Sequence, residues 1–189
     1  MSNQSNQIVA GSLGALAKQQ NQSLAETFVN CDCVVIVDTS GSMHSQDSRG
    51  GRSRYDVACD ELRQLQANLP GKIGVIAFSN HVMFCPGGQP VDFGGGTDLE
   101  RALKFTKIAD VPGMRFIVIS DGDPDDREAA LKIAATYQNR IDVIYVGPES
   151  MPAGRDFLAQ LAKVSGGQAI TADRAQELSK SVQFLLTGG

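Results

Sequence analysis

The sequence predicts one α/β domain built on a doubly wound, mostly parallel sheet with helices on both faces. Three observations lead to this fold class. Apolar runs, typical of strands buried on both faces, alternate with amphipathic segments of helical length. Gly and Pro residues separate these segments. The chain has 189 residues, 42% of them hydrophobic, which suffices for one domain with a full core.

The N-terminal residues 1–28 are rich in polar residues, and we expect a mobile tail with a short helix over Leu13–Gln20. The domain proper is expected to span residues 29–189. We expect no secretory signal, because a charged N-terminal region is lacking and glycines interrupt the apolar stretch from residue 8 to 17. We therefore expect a cytoplasmic protein with reduced cysteines: Cys31, Cys33, Cys59 and Cys85.

The first half of the domain predicts three strands and one long helix. The third strand follows the second after a two-residue turn, and so short a connection allows only an antiparallel hairpin. The helix follows a long polar loop, residues 43–53, and carries its leucines on one face. In chain order the predicted elements are strand Cys33–Asp38, helix Arg54–Leu69, strand Lys72–Phe78 and strand Val82–Cys85.

The second half alternates helices with strands after a loop rich in glycine and proline. The predicted elements are helix Thr97–Ile108, strand Arg115–Ser120, helix Pro124–Asn139, strand Ile141–Val146, helix Arg155–Val164, strand Gln168–Thr171 and helix Asp173–Leu186. Right-handed crossovers between such strands predict a Rossmann-like sheet of order 3-2-1-4-5-6, with strand three antiparallel at one edge.

Five oxygen-bearing side chains point to a metal site in this fold. Strands one and four are neighbours in the predicted order, and ligands bind beyond their carboxyl ends, where the winding reverses. Strand one ends at Asp38 and strand four leads into Asp121, so two carboxylates meet there. Ser40 and Ser42 follow at a spacing of two, and Thr97 leaves a glycine-rich loop. Such donors suit a hard cation: Mg²⁺, Mn²⁺ or Ca²⁺.

The five residues resemble the metal-ion-dependent adhesion site of von Willebrand factor A (vWA) domains, which reads Asp-x-Ser-x-Ser, then Thr, then Asp. The resemblance covers roughly residues 30–186, and all five positions are filled. It implies that the three hydroxyls bind the metal directly and that Asp38 and Asp121 act largely through water. It also implies that a Glu or Asp of a partner protein completes the coordination.

The resulting functional prediction is a metal-dependent protein-binding adaptor rather than an enzyme. Cytoplasmic relatives in the family often act as adaptors, some beside AAA+ ATPases, so such a system is a candidate partner. The net charge of −4 and the absence of a basic block argue against nucleic acid, and no stretch is apolar enough for a membrane. Arg49, Arg52 and Arg54, in or beside the long loop, are interpreted as a basic rim that steers acidic surfaces.

Two other functions remain open on the sequence alone. A metal-dependent phosphohydrolase would use Asp38 as its nucleophile, but the second Asp expected two residues later is Ser40, so no general acid is in place. The domain could also be a structural assembly component with a non-essential metal site. His44 lies close to the predicted site and is interpreted as a rim residue rather than a ligand.

Single site residues also have simpler interpretations. Thr97 and Glu100 fit a capping box, in which the threonine would only cap its helix. The acidic residues from Asp121 onward resemble the start of an EF-hand calcium loop, but its glycine and its bidentate glutamate are replaced by Asp126 and Lys132. We instead expect Asp123 to cap a helix that starts at residue 124.

Overall fold

A computed structural model describes residues 8–47, 52–122, 124–147 and 152–171. Within them, six strands form one sheet of order β3-β2-β1-β4-β5-β6. Neighbouring strands are parallel except for the antiparallel pair of β2 and β3. The predicted order and the antiparallel edge strand are therefore confirmed. The strands are β1 Cys33–Asp38, β2 Ile73–Phe78, β3 Val82–Phe84, β4 Arg115–Ser120, β5 Ile141–Tyr145 and β6 Ala169–Thr171.

Six α-helices and two short 3₁₀ turns accompany the sheet in the described residues. The 3₁₀ turns cover Gly41–His44 and Lys107–Ala109. The helix predicted over residues 173–186 lies outside the described residues. The helices are α1 Leu13–Gln20, α2 Leu24–Val29, α3 Arg54–Asn68, α4 Leu99–Thr106, α5 Arg127–Ala134 and α6 Pro152–Val164.

The central strand β1 separates two hydrophobic cores, and every one of its residues is buried. Side chains alternate across a strand, so Val35 faces one core and Ile36 the other. Helix α3 packs on the first face, whereas α4, α5 and α6 pack on the second. Burial on both faces explains why this strand is a continuous apolar run that ends only at Asp38.

The helix after β4 starts later than predicted. Helix α5 begins at Arg127, because the side chain of Asp126 accepts a hydrogen bond from the backbone N–H of Ala129 at 2.9 Å and so caps it. The prediction of a helix starting at residue 124 was wrong, and the expected cap Asp123 lies outside the described residues. Asp125, which was predicted to lie in this helix, precedes it, and its N–H donates to the carbonyl of Thr97 at 3.1 Å.

The described part of the predicted tail is folded against the domain. Helix α1 coincides with the predicted helix, and a second helix, α2, follows it. Leu13 is buried in α1. The N–H of Val9 donates to the carbonyl of Gly87 at 2.8 Å, and that of Gly14 donates to the carbonyl of Pro86 at 2.7 Å. These contacts tie α1 to the loop after β3, which differs from the mobile tail expected from composition.

The four cysteines are buried and carry free thiols. Desolvation by burial raises the pKa of the Cys31 thiol to about 11, so it stays protonated at neutral pH. Among the described residues, none of the helices has the length and apolar character needed to cross a bilayer.

Candidate metal centre

The candidate site lies at the carboxyl ends of two neighbouring parallel strands. Strands β1 and β4 are paired, and their last residues are Asp38 and Ser120. Asp121 follows Ser120 directly, so the two predicted carboxylates leave the same edge of the sheet side by side. The topology thus brings together residues that are 83 positions apart (121 − 38). This is the position at which doubly wound folds place their ligands.

Asp38 is fully buried at the base of the site. One of its oxygens, Oδ1, accepts the N–H of Ser40 at 2.8 Å, and Oδ2 accepts the hydroxyl of Ser120 at 2.6 Å. Desolvation raises the pKa of Asp38 to about 6, although these hydrogen bonds act in the opposite direction. The negative charge of Asp38 is therefore poorly compensated within the chain, which is the condition under which a bound cation stabilises a carboxylate.

The hydroxyl groups of two serines lie between Asp38 and the second carboxylate, Asp121. The hydroxyls of Ser40 and Ser42 lie 3.1 Å apart, and the Ser42 hydroxyl donates to Oδ1 of Asp121 at 2.9 Å. Gly122 lies beside both residues, since a Cβ atom added to it would be 3.9 Å from Asp38 Oδ2 and from Ser42 Oγ. Four of the five predicted residues thus form one cluster, which extends from buried Asp38 to exposed Ser42.

The fifth residue, Thr97, follows a glycine-rich loop whose backbone is bonded to the loop of Ser40 and Ser42. The N–H of Gly41 donates to the carbonyl of Gly95 at 2.9 Å, and the N–H of Gly94 donates to the carbonyl of Thr39 at the same distance. Both loop glycines have positive φ angles, 65° and 85°, which other residues adopt only with strain. The glycine-rich loop therefore lies against the Asp-x-Ser-x-Ser loop, two residues before Thr97.

The backbone of Thr97 is held by Asp125, a residue that sequence patterns do not assign to the site. The carboxylate of Asp125 accepts the N–H of Thr97 at 3.2 Å, and the Thr97 carbonyl accepts the N–H of Asp125 in return. The predicted helix start at Thr97 was wrong, because α4 begins at Leu99 and Asp98 caps it by accepting the N–H of Arg101 at 3.0 Å. The interpretation of Thr97 as part of a capping box is therefore also wrong, since the cap of α4 is Asp98 and not the hydroxyl of Thr97.

Arg54 contradicts the predicted basic rim. It is buried, and its guanidinium donates to Oδ2 of Asp121 and to the carboxylate of Asp47. Arg52 is half-exposed and pairs with Asp60 at 2.6 Å, and Arg49 lies outside the described residues. Arg54 is thus a neighbour of the site rather than part of an exposed rim. A local sequence pattern carries no signal for this, because an arginine at the start of a helix has the same neighbours in sequence whether it is buried or exposed.

His44 lies at the edge of the site, on the 3₁₀ turn that contains Ser42. Its Nε2 is 2.8 Å from Oδ2 of Asp92, and about half of its side chain is exposed. The hydrogen bond to Asp92 raises the pKa of His44. The pair connects the turn after Ser42 to the segment before the glycine-rich loop, which agrees with the interpretation of His44 as a rim residue.

The donor set fits a hard divalent cation. The described residues contain no group of three or more His, Cys, Asp or Glu side chains placed to hold a metal. The calcium-loop alternative gains no support, since Asp121 and Asp125 have different partners. What the site offers is two carboxylates with hydroxyls between them, all oxygen donors of the kind that Mg²⁺, Mn²⁺ and Ca²⁺ prefer.

Comparisons with known proteins identify the fold. No protein-family model and no curated protein matches the sequence. A solved aerotolerance-related membrane protein from Bacteroides fragilis is 18% identical with a TM-score of 0.66, covering 83% of this chain and 98% of its own. The SpRpn10 VWA domain is 13% identical with a TM-score of 0.58, and the match covers 79% of this chain and 92% of that domain. Manganese-loaded TRAP protein from Plasmodium vivax is 14% identical with a TM-score of 0.55, and the match covers 82% of this chain and 74% of that protein. The chain therefore has a vWA-like α/β fold.

Proposed function

We propose that this domain binds one divalent cation and uses it to hold an acidic side chain of a partner protein. The physiological ion is proposed to be Mg²⁺, with Mn²⁺ or Ca²⁺ as alternatives. The observation that carries the proposal is the hydrogen-bonded cluster at the ends of β1 and β4, with a buried and poorly compensated carboxylate at its base. The manganese-loaded TRAP structure adds support from a protein of similar fold.

The residues proposed to hold the ion divide into two kinds. The hydroxyls of Ser40, Ser42 and Thr97 would bind it directly as neutral oxygen donors, whereas the carboxylates of Asp38 and Asp121 would act largely through water. When bound, the ion supplies a concentrated positive charge with a coordination position open to an external ligand. The two carboxylates carry the charge of a divalent ion with opposite sign, of which Arg54 already offsets a part at Asp121. The neutral hydroxyls add no negative charge that would repel a further carboxylate.

The partner is proposed to be a protein that presents Glu or Asp. Ser42 is exposed, so an incoming side chain has access from the solvent side of the cluster while Asp38 stays buried beneath it. Family analogy adds an AAA+ ATPase system as one source of such a partner. The competing hypothesis of a phosphohydrolase lacks a general acid, since the hydroxyl of Ser40 stands at that position and is within hydrogen-bond distance of Ser42.

We expect partner capture from a native lysate to require the metal. The immobilised domain should retain its partner in Mg²⁺ and lose it in excess chelator, because the ion bridges the two proteins. Thr97→Ala should weaken capture without unfolding the domain, since the backbone of Thr97 is held independently by Asp125. Thr136→Ala is the matched control, because Thr136 is exposed and its hydroxyl bonds only within its own turn.

The outcome of that assay separates the competing functions. Capture that is unchanged in chelator would contradict metal bridging and favour a structural assembly component. An assay with aryl phosphates at saturating Mg²⁺ addresses the hydrolase, and turnover that disappears in Asp38→Asn would favour that activity over the proposed one.

A further inference from the structure

Asp121 forms an ion pair with the guanidinium of Arg54, and among the described residues it has no other positively charged partner. The Arg54 side chain is only 7% exposed, so it belongs to the interior of the site rather than to a solvated surface. We propose that Arg54 is a built-in cation of the site that competes with the metal ion for Asp121 and thereby lowers the affinity for metal. This inference rests on the proposed function, since it concerns the same site.

Both oxygens of Asp121 are already engaged. Oδ1 accepts the hydroxyl of Ser42 at 2.9 Å, and Oδ2 accepts the guanidinium of Arg54. The Asp121 side chain is fully buried, so solvent does not supply an alternative partner. Each carboxylate oxygen can accept a second bond, so a metal ion or its water can be added at Asp121, but an ion at Oδ2 then shares that oxygen with the guanidinium. The bond to Ser42 belongs to the proposed ligand set, which leaves the bond to Arg54 as the one in competition.

The charges of the site point the same way. Without metal, the single positive charge of Arg54 is shared by Asp121 and Asp47, whereas Asp38 has no ion-pair partner among the described residues. A divalent ion bound beside Asp121 brings a second cation close to the guanidinium, and like charges repel strongly where water is scarce. The carboxylate of Asp47, which is half-exposed, holds the other side of the guanidinium and keeps Arg54 from leaving freely.

Arg54 is therefore expected to have two opposite effects. In the metal-free domain it stabilises the fold, because its removal would leave the buried carboxylate of Asp121 without a counter-charge. In the metal-loaded domain it opposes the ion. A residue with a purely structural or positioning role would act differently, since its removal would loosen Asp121 and weaken metal binding.

The experiment compares metal binding by the whole chain in wild type and in Arg54→Met, which keeps much of the length of the side chain and removes its charge. Calorimetric titration with Mn²⁺ and with Mg²⁺ gives the affinity, and thermal melting in chelator gives the stability without metal. We expect Arg54→Met to bind roughly tenfold more tightly, within the usual range of coupling between two sites. We also expect it to melt several degrees lower in chelator. Arg52→Met, the same change at an exposed ion pair, is the matched control and should leave both quantities unchanged.

The possible outcomes separate this inference from the proposed function. If wild type binds metal and Arg54→Met binds equally well or more weakly, the competition is wrong while the proposed function stands. Binding by Arg54→Met alone would support the competition in its strongest form and contradict the proposed function of the wild-type domain. Absence of binding in both would overturn both. Should Arg54→Met fail to fold, Arg54→Gln, which keeps hydrogen-bond donors without charge, provides the same comparison.

Discussion

Replacing Asp38 by asparagine should stabilise the metal-free domain at neutral pH by up to about 3 kcal/mol, although Asp38 is the central residue of the site. Burial raises the pKa of Asp38 from 3.8 to about 6, so keeping it ionised at neutral pH costs free energy in the folded state. A difference of one in pKa between the folded and unfolded states corresponds to about 1.4 kcal/mol. Asparagine carries no charge, and its side-chain oxygen can still accept the N–H of Ser40.

The pH dependence of this effect has a definite sign. A carboxyl group whose folded pKa is raised contributes stability that is fully present below its unfolded pKa, near 3.8, and is lost as pH rises through about 6. The advantage of Asp38→Asn over wild type should therefore be small near the unfolded pKa and largest once the pH exceeds the folded pKa. Urea unfolding in excess chelator at several pH values measures it.

The control for that series is Asp156→Asn, because the Asp156 side chain is largely exposed. It should differ little from wild type at any of these pH values. An Asp38→Asn variant that is less stable than wild type at neutral pH in chelator would mean that the chain itself compensates the charge of Asp38. The buried carboxylate would then have no need of a bound cation.

Leu13→Ala should lower the free energy of unfolding by about 2–5 kcal/mol, as expected for removing a fully buried leucine side chain. Leu13 is only 1% exposed, and the neighbouring Gly14 is bonded to Pro86 through its N–H. The large effect follows from packing of α1 against the domain. A mobile tail at this position would have no stability to lose.

Lys18→Ala, at an exposed position of the same helix, is the control for chemical denaturation and should stay within about 0.5 kcal/mol of wild type. If Leu13→Ala also changes the unfolding free energy by no more than that, α1 does not belong to the cooperative unit.

The bounds of the central strands could be predicted to the residue because burial on both faces requires a continuous run of apolar residues. Strands β1 and β4 are covered on both faces, and both have the predicted bounds. The N-terminal helices carry few buried side chains in a polar sequence, so composition pointed to a tail. The capping box formed by Ser23 and Glu26 at the start of α2 was the available local signal.

The site shows the same division between local and long-range information. Asp38, Ser40 and Ser42 are close in sequence, and their spacing alone suggests a common ligand. Arg54 reaches Asp121 across 67 positions, and nothing in the neighbouring sequence distinguishes this buried pairing from a solvated surface arginine. Capping of α4 by Asp98 instead of Thr97 is a one-residue difference, which residue preferences cannot resolve because both types cap helices well.

The most direct test of the proposed metal site is a calorimetric titration of the wild-type domain with Mn²⁺ and Mg²⁺, repeated with Asp38→Asn and with the control Asp156→Asn. We predict saturable binding of one ion per domain in wild type and in the control. We predict a loss of that binding in Asp38→Asn, even though this variant is the more stable one without metal. Equal binding in wild type and Asp38→Asn, or no saturable binding in wild type, would contradict the proposed site.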